Sequence, residues 1–138
     1  MRNVFIVAVL ALLLIFSAGC TKTNPTVFSW YYLGNNYVAD SAYSPITSPV
    51  ANSLMIAFCD QTYILGFNTN TTLAVGSYAL GTRSSSDFAF FFTPQEIFSQ
   101  TGQLNITYNN GKSMSGNFSI TFTDGSVMTG QFSDIPIR

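Results

Sequence analysis

The sequence contains no histidine. Its absence removes Ser-His and Cys-His nucleophile pairs and every imidazole-based metal site. Charge is also scarce. Five Lys and Arg stand against six Asp and Glu, a formal net charge of −1, and this leaves no basic patch for nucleic acid. Glycan hydrolysis needs two carboxylates across a cleft, and most of the six have another explanation. Asp124 begins an Asp-Gly turn. Asp60 opens the turn signal Asp60-Gln61-Thr62. Glu96 closes Thr93-Pro94-Gln95-Glu96, which has the form of a helix capping box with Pro at the first helical position. Asp40, Asp87 and Asp134 show no motif spacing and are expected on loops or near the C-terminus, scattered and solvated. No spaced Asp/Asn run makes a calcium loop. The expectation is a protein that is not an enzyme and has no catalytic residue, metal or cofactor site.

Long apolar runs are absent except at the start. Val4 to Phe16 is unbroken after Met1-Arg2-Asn3, and it is too short for a typical membrane-spanning helix. Ser17-Ala18-Gly19-Cys20 follows, with the small residues of a secretory cleavage site. A cysteine directly after Ala-Gly resembles a bacterial lipobox, although Ser17 stands where that pattern usually has Leu, Val or Ile. The resemblance implies that the Cys20 thiol receives a diacylglycerol and becomes the new N-terminus. Residues 1–19 are then a signal peptide, 20–26 a lipidated tether and 27–138 the folded domain. The polar tether reaches only roughly 20 Å when extended, so the domain sits close to the bilayer. Thr21 rather than Asp follows the cysteine, which resembles cargo sent to the outer membrane; the leaflet is left open. With Cys20 lipidated, Cys59 has no intramolecular disulfide partner. It ends the run Leu54 to Cys59 and is expected as a small buried hydrophobe.

The remainder reads as short β-strands separated by turn signals. Val27 to Leu33 places Phe28, Trp30 and Tyr32 on one face, and Tyr37 to Ala39 returns after Gly34-Asn35-Asn36. Residues 40–52 read as a loop, within which Asp40-Ser41-Ala42 resembles a short O-glycosylation sequon or an ordinary Asp-Ser turn. Leu54 to Cys59 is apolar on both faces, as a central strand is. Tyr63 to Phe67, Leu73 to Leu80 and Phe88 to Phe92 follow. Alternation requires that Tyr31 and Tyr32, and likewise Phe91 and Phe92, point to opposite sides. The capping box predicts one short helical turn near 94–99.

Leu104 to Phe132 contains one unit twice, and each copy turns at Asn110-Gly111 or Asp124-Gly125. Three-residue loops with glycine in the left-handed region keep the apolar residues on one face. They pair Tyr108 with Lys112, Ile106 with Met114 and Ile120 with Met128. Phe118 then lies opposite Gly102 and Gly130, and Phe132 opposite Gly116, so that rings cover bare glycine backbone in a sheet that can bend. The fold expected is all-β: a single antiparallel sandwich or flattened barrel of about eight or nine strands, closing in a three-stranded meander.

Cys20, Trp30, Gly76-Ser77-Tyr78-Ala79-Leu80, Ser115-Gly116-Asn117-Phe118, Gly125, Gly130-Gln131-Phe132 and Ile135-Pro136 together resemble a family of small uncharacterised bacterial lipoproteins. The resemblance implies location and fold; the family carries no established activity. The functional expectation is a non-enzymatic, lipid-anchored cell-envelope protein of the outer membrane with a structural or protein-contact role. The alternative is a lipocalin-like or carbohydrate-binding module with an aromatic-lined cavity. An envelope protein or a glycan is the partner class, and nucleic acid is not. A filled core favours the first reading and an open aromatic cup the second.

Overall fold

A computed structural model describes residues 27–44, 53–60, 62–69 and 73–138. The signal peptide, the tether and Cys20 fall outside these residues. The described chain is all-β, with ten strands: β1 (Val27–Tyr32), β2 (Asn35–Val38), β3 (Ser41–Tyr43), β4 (Ser53–Cys59), β5 (Tyr63–Thr69), β6 (Gly76–Leu80), β7 (Phe88–Phe92), β8 (Glu96–Asn109), β9 (Ser113–Phe122) and β10 (Val127–Pro136). Nine follow one path, β2-β1-β10-β9-β8-β7-β5-β4-β3, and β6 pairs with β8 beside it. Every named strand pair is antiparallel.

The sheet curls into a half-barrel because β8 belongs to both of its halves. Glu96 to Phe98 pair with β7, whereas the strand pairs with β9 from Ser99 onward, through a bulge between Ser99 and Thr101. Bulges bend a strand and increase its twist. The buried Ser99 pins this bend: its hydroxyl donates to the Gly81 carbonyl at 2.5 Å and accepts from the Ala89 amide at 2.9 Å. A second junction is the β2–β3 run. The Ala39 amide donates to Phe28 O and the Asp40 amide to Phe58 O, so consecutive residues bond the two halves. A third is the end of β3, where the Ser44 amide donates to Pro136 O and its carbonyl accepts from the Arg138 amide. We call β1, β2, β6, β9, β10 and most of β8 the first half, and β3, β4, β5, β7 and the start of β8 the second.

The expected helical turn near 94–99 does not form. Thr93 does cap, but it caps a tight β7–β8 connection: its hydroxyl accepts from the Gln95 amide at 3.3 Å. Glu96, Ile97 and Phe98 then pair with Phe92, Phe91 and Phe90. Sheet pairing and ring burial outweigh a local helix-start signal. The 40–52 loop is likewise corrected in part, since Ser41–Tyr43 pairs with β4; residues 45–52 lie outside the described ones.

The second hairpin has the expected register, with Met128 opposite Ile120, Gly130 opposite Phe118 and Phe132 opposite Gly116. The first does not. Ile106 faces Gly116, Tyr108 faces Ser115 and Leu104 faces Phe118, leaving Gly102 opposite Ile120. Two Asn side chains widen this turn. Asn109 Oδ1 accepts from Gly111 N at 2.8 Å, and Asn110 Oδ1 accepts from Lys112 N at 2.9 Å and Ser113 N at 2.8 Å. A bulge between Ile106 and Tyr108 absorbs the remainder. Ile106 ends two residues from its expected partner, and a slip of two leaves Leu104 and Ile106 on their original face, whereas beyond the bulge Tyr108 turns outward, 47% exposed.

The interior is ring packed on ring. Phe91 meets Trp30, Tyr32, Tyr63 and Phe122 at centroid distances of 6.2, 5.1, 5.9 and 6.2 Å. Phe118 meets Phe67 at 5.0 Å and Phe28 at 5.7 Å. Four of these six contacts join the two halves, since Phe91 and Phe67 come from the second and Trp30, Tyr32, Phe122 and Phe118 from the first. Side chains added at Gly130 would meet the Phe118 ring and, at 2.6 Å, the Ser29 carbonyl, so only glycine lets these strands and rings close together.

Candidate functional site

Beyond the core rings, the outer surface carries the remaining chemistry. Three places on it differ in kind.

On the first half, outward residues alternate with the core. One row crosses six strands: Val38, Ser29, Gln131, Asn117, Asn105 and Ser77 stand opposite one another in that order. Its inner members are hydrogen-bonded side chain to side chain. Asn105 Nδ2 donates to Asn117 Oδ1 at 3.0 Å, and Ser77 Oγ donates to Asn105 Oδ1 at 2.7 Å. The next row contains Asn36, Tyr31, Thr129, Ser119 and Gln103. Both rows are uncharged, and an open groove of about 460 Å³ runs along them with Tyr31 on its wall. Tyr31 is 49% exposed while Tyr32 is 6% exposed, the opposite facing that alternation required.

The outward side of the second half is aromatic and aliphatic. Tyr43, Ile56, Phe90 and Phe98 share a row with Gly66, and Phe58, Ile64 and Phe92 share the next with Ser41 and Glu96. Phe90 lies across Gly66 and fills the space a side chain would take. Tyr43 stacks on Phe58 at 6.2 Å. Most of these side chains are half-buried, and Phe92 is 43% exposed beside the fully buried Phe91. Arg83 sits over the Phe98 ring at 4.6 Å.

The third place is the corner where β2 passes into β3. The Asp60 amide donates to Asp40 Oδ2 at 2.5 Å, and the ligand atoms of Asp40, Cys59 and Asp60 lie within 4.8 Å of one another. Asp60 has φ +52, which a tight β4–β5 turn imposes. Both carboxylates are exposed, and they border an open depression with Ser41, Phe58 and Ile64. Burial pushes the Cys59 thiol up from its ordinary value. The carboxylates of Asp60 and then Asp40 push the same way, against a hydrogen bond from the Val38 backbone. The group is therefore a neutral thiol at pH 7, poor as nucleophile and as soft ligand. It is the small buried residue expected, at 7% exposure.

The other carboxylates are dispersed along the chain. Asp124 accepts from the Ser126 amide at 2.9 Å and from its hydroxyl at 2.5 Å, which holds the carboxyl below its usual range. Glu96 is an exposed strand residue. Asp87 ends the β6–β7 loop and Asp134 stands at the β10 bulge, with its amide donating to Ser115 Oγ at 3.1 Å. Both are half-buried rather than solvated. The Asp40–Asp60 pairing had no sequence signal beyond two turn-forming residues. The chain's two outward faces could have been read from Leu54 to Cys59 and β7, whose runs are apolar at every position, beside β9 and β10, which alternate. No family model matches this chain, and neither a curated protein nor a solved structure matches it.

Proposed function

We propose that this chain is a non-enzymatic, lipid-anchored protein of the bacterial cell envelope, held at the outer membrane through Cys20 and acting by surface contact. One observation carries the reading of the domain. Its inward aromatic rings pack edge to face on one another across the two halves, so recognition falls to the outside. The anchor rests on Ser17-Ala18-Gly19-Cys20 behind an apolar leader, and on the resemblance to small envelope lipoproteins. Cys20→Ala tests it. The expected result is loss of fatty-acid labelling and release from the membrane fraction; labelling and fractionation unchanged from the natural protein would end the reading.

The uncharged groove beside Tyr31 favours a second reading, a carbohydrate-binding module that works from its outer face rather than from a cavity. An exposed phenol ring offers a stacking surface, and amides and hydroxyls offer neutral hydrogen-bonding groups. On this reading Tyr31→Ala abolishes retention on a neutral glycan array. An array silent for the natural protein would remove it.

A further inference from the structure

We infer that the aromatic outer face of the second half rests on the lipid surface, orienting the domain with its amide face toward the aqueous side. This deepens the proposed lipid anchoring and rests on it.

The face is unlike the rest of the exterior. Ile56, Phe58, Ile64, Phe90 and Phe92 all point outward from β4, β5 and β7, and Tyr43 borders them on β3. A contiguous apolar patch on a sheet exterior is a candidate protein or membrane contact. Two observations favour the membrane. The first is where the tether ends. β1 begins at Val27, and Phe28 O bonds the Ala39 amide while the adjacent Asp40 amide bonds Phe58 O. Two strand spacings of about 4.8 Å thus separate the start of the domain from the edge of the aromatic face. A tether of residues 20–26, reaching roughly 20 Å, brings that edge to the bilayer holding its acyl chains. The second is size. Apart from Phe92, these side chains are half-buried. Six such side chains, five of them half-buried, expose less than the roughly 800 Å² per partner of a stable protein interface. A bilayer accepts such a patch without shape complementarity, and aromatic rings are favoured at its interface.

Charge sets which lipid is preferred. Asp40, Asp60 and Glu96 stand at the ends of the Phe58–Phe92 row, and Arg83 is the cation placed over Phe98. An acidic rim is repelled by anionic headgroups. The face therefore suits zwitterionic lipid, and an anionic bilayer weakens contact in a way that added salt reverses.

The test uses the full lipidated protein in phosphatidylcholine vesicles with brominated acyl chains. Each of two variants adds one tryptophan, Phe92→Trp on the aromatic face or Tyr31→Trp on the amide face, and is read against the natural protein, whose Trp30 is buried. Emission from Phe92→Trp falls by about half, as expected for a face inserted about 5–10 Å, and emission from Tyr31→Trp is unchanged. Thermal melts confirm that each variant is folded. Replacing part of the lipid with phosphatidylglycerol reduces the quenching at low salt. Equal quenching at both positions, or none at Phe92→Trp, overturns the inference. The mass of the purified protein reports acylation separately. An unacylated chain ends the anchor reading, and quenching at Phe92→Trp still decides how the face lies: quenched, it supports lipid contact without the anchor; unquenched, it overturns it.

Discussion

The two halves of the sheet present the same inside and opposite outsides. Inward, both supply Phe, Tyr, Leu and Met to one core. Outward, β8, β9 and β10 show Ser, Thr, Asn and Gln, while β4, β5 and β7 show Ile and Phe. A sheet needs only one apolar face to fold. The second apolar face is thus not required by the core of this domain. It costs solubility, and its presence calls for a use outside the folding problem. The polar face meets water at no such cost.

The comparison breaks if the outer aromatics are core after all. Phe91→Ala removes a ring in contact with both halves and is expected to cost about 3–5 kcal/mol. Phe92→Ala, one residue away and 43% exposed, is expected to cost less than about 1 kcal/mol. Urea melts compare them, and equal losses would place the outer face within the core.

Glycines sharpen it further, since a ring covers one on each side. A methyl at Gly130 meets the buried Phe118 ring and the Ser29 carbonyl, and the backbone cannot yield; Gly130→Ala is expected to cost about 2–3 kcal/mol. At Gly66 the three nearest atoms all belong to Phe90, whose ring can swing outward. Gly66→Ala is expected below about 1 kcal/mol. The same melts check both.

A smaller effect is expected at the junction of the halves. Ser99→Ala leaves the Ala89 amide and the Gly81 carbonyl without their side-chain partner and is expected to cost about 1–2 kcal/mol. Amide exchange should quicken at Ala89 while the β9–β10 ladder stays protected. Uniform loss of protection would mean that the halves are not joined there in this way.

The smallest effect belongs to Asp124. Its folded carboxyl titrates below the unfolded one because the Ser126 hydroxyl and amide hold the charged form. The contribution is fully present above the unfolded value near pH 4 and is lost as pH falls through the lower folded value. The group is largely exposed, so solvent screening keeps it below about 0.5 kcal/mol. Asp124→Ala should therefore melt slightly earlier at pH 7 and like the natural protein at the acid end. A constant difference across that range would assign the effect to the turn rather than to the charge.

Much of this architecture was legible in the sequence because alternation writes burial directly. The split of Tyr31 from Tyr32 and of Phe91 from Phe92, the rings over Gly116 and Gly130, and the left-handed Gly111 and Gly125 all follow from it. The first hairpin shows its limit. A period of two cannot distinguish registers that differ by two residues, and the choice fell to Asn109 and Asn110 side chains bonding their own turn. Thr93 to Glu96 failed for another reason: a capping threonine serves a tight hairpin as well as a helix, and only the partner strand decides. The Asp40–Asp60 corner depends on two chain segments meeting through Phe58, a long-range fact without a local pattern.

The central claim is that the domain is filled inside and works from its surface while held by a lipid. A native mass spectrum of protein released gently from the envelope tests it most directly. The account predicts the mass of the chain from Cys20 onward plus its acyl groups, with no small molecule retained. A mass showing an unmodified Cys20, or a bound ligand that survives until the domain unfolds, would contradict it.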